Sequence, residues 1–263
     1  MKVFSFVLVA AFSFLSTRQA YAVCEVSHVA GSDWSVANGA AAVTQALSGA
    51  QSILAGQDVI ISVAVRDNIG GKPVTAIKDS GGNVYSNPVS INNGVSGEPA
   101  LYMWYVHATA NASSITILSS NTGNWVVSVS QYSNSQGLGN VLTSNIGTTG
   151  PSTMVSGSLN NGDIEVTGFA GNGNTSISAV TGNLETNGST GSAGTNADGA
   201  IVDNTPVGYG PVTMAISTNH TKWYAGELQL LSSCATPTPT NTPITCNPYF
   251  VSGSNKEIEP TGD

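Results

Sequence analysis

Asp163 and Glu165 stand two residues apart in the run Asn160-Asn161-Gly162-Asp163-Ile164-Glu165-Val166. That pattern predicts a turn followed by a strand. Side chains on a strand repeat every two residues, so both carboxyls project from one face. Retaining glycosidases use two carboxyls about 5 Å apart, which makes the pair a candidate for such chemistry. However, a Gly-Asp strand entry explains Asp163 by turn chemistry alone. In the similar run Gln57-Asp58-Val59-Ile60, Ile60 takes the place of Glu165. No catalytic role is assigned to the pair, and the chain is not expected to be an enzyme.

The other candidates point to binding. Sugar rings stack on exposed aromatic faces beside amide and carboxyl groups. In Lys222-Trp223-Tyr224-Ala225-Gly226-Glu227-Leu228-Gln229, alternation puts Trp223, Glu227 and Gln229 on one face and Tyr224 and Leu228 on the other. These three are the candidate ligand-binding residues. Weighed against this, and favoured over it, is the reading in which Trp223 caps the edge of the core under a loop. His28, His107 and His220 have no metal-ligand spacing to one another or to a cysteine. No Gly-x-Ser-x-Gly elbow is present. Asp198 and Asp203 lie in or beside a glycine- and asparagine-rich stretch, 173–200, so loop-bound calcium stays open as a cofactor, and no other cofactor is implied.

Lys2, an apolar run from Val3 to Leu15 and a small-residue site at Ala20-Tyr21-Ala22 read as an export signal over 1–22. No later segment is apolar for long enough to span a bilayer. The mature chain is therefore expected to be secreted, extracellular or at a cell surface. The sequence carries 7 basic and 15 acidic residues for a formal charge of −8, and loss of Lys2 and Arg18 takes this to −10. Without a basic stripe, nucleic acid is excluded as a partner. An oxidising compartment favours a disulfide between Cys24 and Cys234, against the alternative of three unrelated thiols. Closing so long a loop stabilises by about 5 kcal/mol in the chain-entropy model. The Thr-Pro run at 235–245 reads as a semi-rigid spacer, and 246–263, opening on Cys246, as a tail or the start of a further module.

The intervening 23–234 carries strand signals separated by turn signals, with no sustained helical period. Asp58–Asp67 is the clearest strand. Pro73–Asn87 predicts a hairpin about Ser80-Gly81-Gly82-Asn83. The segment Ser119–Ser133 is echoed by Ser217–Leu231, with Trp125 matched by Trp223 at an offset of 98 (223 − 125). This predicts a weak internal two-fold repeat. Its halves read as parts of one sandwich, each too thin to bury a core alone, with two separate small domains as the alternative.

The runs Gly56-Gln57-Asp58-Val59-Ile60-Ile61, Val74-Thr75-Ala76-Ile77-Lys78-Asp79-Ser80-Gly81-Gly82 and Trp125-Val126-Val127-Ser128-Val129-Ser130-Gln131-Tyr132-Ser133 resemble the jelly-roll domains of secreted bacterial surface proteins. Those domains are similar in architecture to concanavalin-like lectin and glucanase modules. The resemblance covers Gln57–Leu231. It implies an all-β, two-sheet antiparallel jelly-roll sandwich with carbohydrate-linked or adhesive roles. The alternating Glu-Asp-Glu strand of the family's glucanases is absent, Asp163-Ile164-Glu165 being nearest. The expected function is a non-catalytic module that binds polysaccharide, a cell-surface glycan or another surface component. The alternatives are a self-associating subunit of a surface layer or filament, and a glycoside hydrolase or polysaccharide lyase.

Overall fold

The computed structural model describes residues 25–38, 42–66, 74–92, 95, 98–119, 125–148, 152–172, 177–190, 197–205, 209–217 and 222–233. The export signal, all three cysteines (and so the Cys24–Cys234 pairing), His220, the Thr-Pro spacer and the tail lie outside the described residues. Apart from one 3-10 turn at Gly49–Gln51, the regular structure is β. The strands in chain order are β1 (Ser27–His28), β2 (Trp34–Asn38), β3 (Ala42–Ala46), β4 (Asp58–Arg66), β5 (Val74–Asp79), β6 (Ser86–Ile91), β7 (Pro99–His107), β8 (Ser114–Ser119) and β9 (Trp125–Ser133). There follow β10 (Ser135–Thr148), β11 (Ser152–Val155), β12 (Ile164–Gly171), β13 (Ser178–Thr181), β14 (Asn183–Ser189), β15 (Asp198–Asn204), β16 (Thr213–Ser217) and β17 (Lys222–Ser232).

Among the described residues every pairing is antiparallel, and the strands form four sheets. A first inner sheet runs β9-β4-β7-β6, with β1 and β2 both on the free edge of β9; a first outer sheet runs β3-β8-β5. A second inner sheet runs β10-β17-β12-β15-β14, and a second outer sheet β11-β16-β13. With β2 as the edge strand, adding eight to every label of the first set returns the second. The chain passes from one set to the other through Asn134 alone. Its φ of 61° is a left-handed conformation that asparagine tolerates.

Alternation on β4 shows how the layers stack. Val59, Ile61, Val63 and Val65 enter a core shared with Ile115 and Ile117 of the first outer sheet. Ile60 and Ala64 enter a second core, shared with Val166, Ile201, Tyr224 and Leu228 of the second inner sheet. A third core, with Phe169, Val202, Met214, Ile216 and Trp223, lies between the second inner and outer sheets. The molecule is four layers deep, and the two inner sheets are covered on both faces. Each half encloses a core of its own, contrary to the expectation that a half is too thin to do so.

The halves gain their second layer because strands change sheets at turns. The turn at Ser80–Asn83 forms as expected, with Gly82 at φ 76°. The Asp79 carboxylate accepts hydrogen bonds from Gly81 N and Asn83 N, both at 3.0 Å. It is not a hairpin, however: β5 pairs with β8 and β6 with β7. Asn83 anchors the crossing, its Oδ1 accepting from Thr109 N at 2.9 Å and Ala110 N at 3.0 Å.

Close seating of the inner sheets depends on glycines. A Cβ on Gly226 would lie 2.6 Å from Val89 Cγ1, and one on Gly168 would lie 2.7 Å from Ser62 Oγ and 3.0 Å from Met103 Sδ. Gly188 and Gly199 similarly meet Val126 and Ala64. Overpacking of this kind typically costs about 1–3 kcal/mol. Gly226→Val is expected to cost at least that in urea unfolding. Paired with Val89→Ala, which clears the obstructing methyls, it should recover part of the loss.

Candidate functional site

β17 carries the face that alternation predicted, with Trp223, Glu227 and Gln229 together, but that face does not meet solvent. Trp223 is 6% exposed and packs on Phe169, with ring centroids 6.4 Å apart. Glu227 and Gln229 are buried as well. The β12–β17 register runs unbroken from Ile164↔Leu230 to Gly171↔Trp223, so no bulge turns the strand over. Both faces of β17 are covered, the one with Glu227 and Gln229 included. Trp223 and Ala225 face the core of their own half, while Tyr224, Leu228 and Leu230 face the other half. The proposed stacking platform is thus an internal surface.

Gln229 is held at both ends. Its Nε2 donates to Asp163 Oδ2 at 2.9 Å, and its Oε1 accepts from Asn140 N at 3.0 Å. Asp163 also accepts from Asn160 N at 3.0 Å and Ser232 N at 2.8 Å, the turn role foreseen for it. Glu165 pairs opposite Gln229, and Thr167 opposite Glu227, which makes the two glutamates diagonal neighbours on one buried face. Glu165 Oε1, Thr167 Oγ1 and both oxygens of Glu227 have no hydrogen-bond partner among the described residues. Burial, with the charges of Glu227 and Asp163, pushes Glu165 up to about 9. Burial pushes Glu227 up to about 7.

The first half has no such group. Trp125 pairs with Val65 and Trp223 with Gly171, so β4 and β12 are offset by 106 (171 − 65) while β9 and β17 are offset by 98 (223 − 125). The counterparts of Glu165, Thr167 and Glu227 are then Val59, Ile61 and Val129, all in the first core. The sequence match of Asp163 with Asp58 is therefore one residue out of register. Asp58 is instead buried at the start of β4, accepting from Tyr105 Oη at 2.8 Å and paired with His107 Nδ1 at 2.7 Å.

The two calcium candidates do not form a loop site. Asp198 and Asp203 both belong to β15 and are buried. Five residues apart on a strand, they sit about 17 Å apart and on opposite faces. Asp203 Oδ1 accepts from Asn183 Nδ2 at 3.0 Å. It belongs to a cluster that sequence spacing did not reveal, at the junction of the two halves. There His28 of β1 has Nε2 at 2.9 Å from Asp33 Oδ1 and Nδ1 at 3.0 Å from Glu185 Oε2. Burial lowers the His28 pKa, but Asp33, Glu185 and Asp203 together outweigh it and raise it above the ordinary histidine value. Burial and the charge of Asp203 bring Glu185 up to about 7. The only sequence signal was His28 and Asp33 straddling a turn, since Glu185 lies 157 positions downstream (185 − 28).

No protein-family model, curated protein or solved structure matches the chain.

The Glu165–Glu227 pair sets a pH dependence with a definite sign. Both groups have folded-state pKa values above the ordinary 4.5. The folded protein therefore keeps protons that the unfolded chain releases. The stability they permit is full below about pH 4.5 and drains as pH rises through about 7 and then about 9. Glu165→Gln should raise Tm by several degrees at pH 8 and leave it little changed near pH 4, as followed by circular dichroism melts.

Proposed function

We propose that the protein is an extracellular, non-catalytic module of paired jelly-roll-like sandwiches that binds a carbohydrate or another neutral surface polymer. The observation that carries the reading is Tyr209. It is 76% exposed, on the connection between β15 and β16, and is the single exposed aromatic among the described residues. An aromatic ring presented to water is the element sugar stacking requires. Val155, 57% exposed on β11, offers apolar surface on the same second outer sheet, whose β16 follows Tyr209. Hydroxyl rows on the outer faces suit the same class of ligand, as in Thr44 and Thr116, whose Oγ1 atoms lie 2.9 Å apart across β3 and β8. This reading moves the binding surface from Trp223 to the outside of the second half.

The test is retention on insoluble polysaccharides and a glycan panel. Tyr209→Ala should reduce binding about 2-fold to 10-fold, the loss of one stacking contact worth ~0.5–1.5 kcal/mol, with Tm unchanged. A folded wild type that binds no glycan would overturn the reading.

A self-assembling structural subunit is favoured by one other observation. β10 is an edge strand with no charged residue from Ser135 to Thr148, and its Val141 and Leu142 are each 37% exposed. An uncharged edge is a template for further strands, and the register shifts of β10 against β17 are what restrain this one. If assembly is the function, light scattering will show concentration-dependent growth of the wild type, and Val141→Lys will abolish it.

A further inference from the structure

The junction cluster has more negative charge than its own histidine can neutralise. Asp33, Glu185 and Asp203 surround one imidazole, leaving the group at −2 when all three are ionised and His28 is protonated. Two further buried polar groups adjoin it: Tyr132 and Asp203 interact with each other, and Asp203 with Glu185 as well. The phenol belongs to this cluster, since Asp203, Glu185 and Asp33 all act on it electrostatically and its ring lies edge-on to His28 at 5.6 Å. One ligand atom from each of His28, Asp33 and Glu185 falls within 4.8 Å of the others. The residues come from both halves of the molecule: His28, Asp33 and Tyr132 from the first, Glu185 and Asp203 from the second.

We propose that this junction is a divalent transition-metal site, with His28, Asp33 and Glu185 as ligands and the Asp203 charge beside them, which fastens the two sandwiches to each other. An imidazole nitrogen with carboxylate oxygens suits zinc or manganese, whereas calcium and magnesium take oxygen ligands alone. The ion takes the place of the proton shared between His28 Nε2 and Asp33 Oδ1. Their 2.9 Å separation would widen to roughly 3.4 Å, set by metal–ligand bonds of about 2.0–2.2 Å in a tetrahedral site. Glu185, 3.0 Å from Nδ1 in the metal-free form, leaves that nitrogen and turns its carboxylate to the metal. The imidazole must give up its proton to bind, so affinity rises with pH. Protonated His28 bridging Asp33 and Glu185 is the metal-free form of the same junction.

The test titrates the full chain, stripped with EDTA, with Zn²⁺, Mn²⁺ and Ca²⁺ by calorimetry and thermal melts, and with Co²⁺ by absorption. The expected result is one Zn²⁺ per chain, a higher Tm and weak or no response to Ca²⁺. The Co²⁺ spectrum should lack the near-ultraviolet thiolate band, which separates this site from the cysteines. His28→Ala and the isosteric Glu185→Gln should each weaken Zn²⁺ binding about 10-fold to 100-fold, as loss of a ligand or its support does. Should His28→Ala fail to fold, Glu185→Gln and Asp33→Asn carry the same comparison. Zn²⁺ binding unchanged in these variants, a thiolate-dominated Co²⁺ spectrum, or no binding by the folded wild type would each overturn the proposal.

Discussion

Everything else in this molecule depends on two β-sheets lying face to face without a gap. Sheets pack about 10 Å apart when side chains interdigitate. Here Gly168, Gly188, Gly199 and Gly226 present bare backbone to Ser62, Met103, Val126, Ala64 and Val89 of the opposing sheet. The middle core then closes around Ile60, Leu101, Val166, Ile201 and Leu228. Each such side chain contributes on the order of 1.5–3 kcal/mol when fully buried. Their sum dwarfs any single polar contact across the junction, the Lys222–Glu98 ion pair included. Apolar burial holds the halves together; the polar contacts at the rim orient them.

Covering both faces of the inner sheets has a chemical consequence. Polar side chains on those strands have nowhere to be hydrated, so they must find partners or remain neutral. Gln229 and Asp163 find partners in each other and in backbone amides. Glu227 finds none for either oxygen and Glu165 none for Oε1 among the described residues, and burial holds both above the ordinary carboxyl range. The first half shows what the same scaffold does without that burden, with Val59, Ile61 and Val129 at the equivalent positions. Two architecturally matched units thus differ in the interior of one, where acidic groups replace methyls. At the junction the same excess of carboxylates is partly balanced by His28, which makes it a different kind of site from the Glu165 pocket.

The sequence by itself determined the all-β character, since alternation and β-branched residues identify strands whatever they pair with. It determined the turn at Gly82, because a positive φ there needs glycine, and the turn role of Asp163, which is local. It also placed Trp223, Glu227 and Gln229 on one face. What that face meets was decided only by tertiary structure, because alternation separates two sides of a strand without saying whether either reaches water. The sheet switch after Asp79 was illegible for a related reason: a turn's local chemistry does not specify which strand comes to lie alongside. The same holds for the junction cluster. His28, Asp33, Tyr132, Glu185 and Asp203 are brought together by two sheets stacking, a contact that no spacing along the chain encodes.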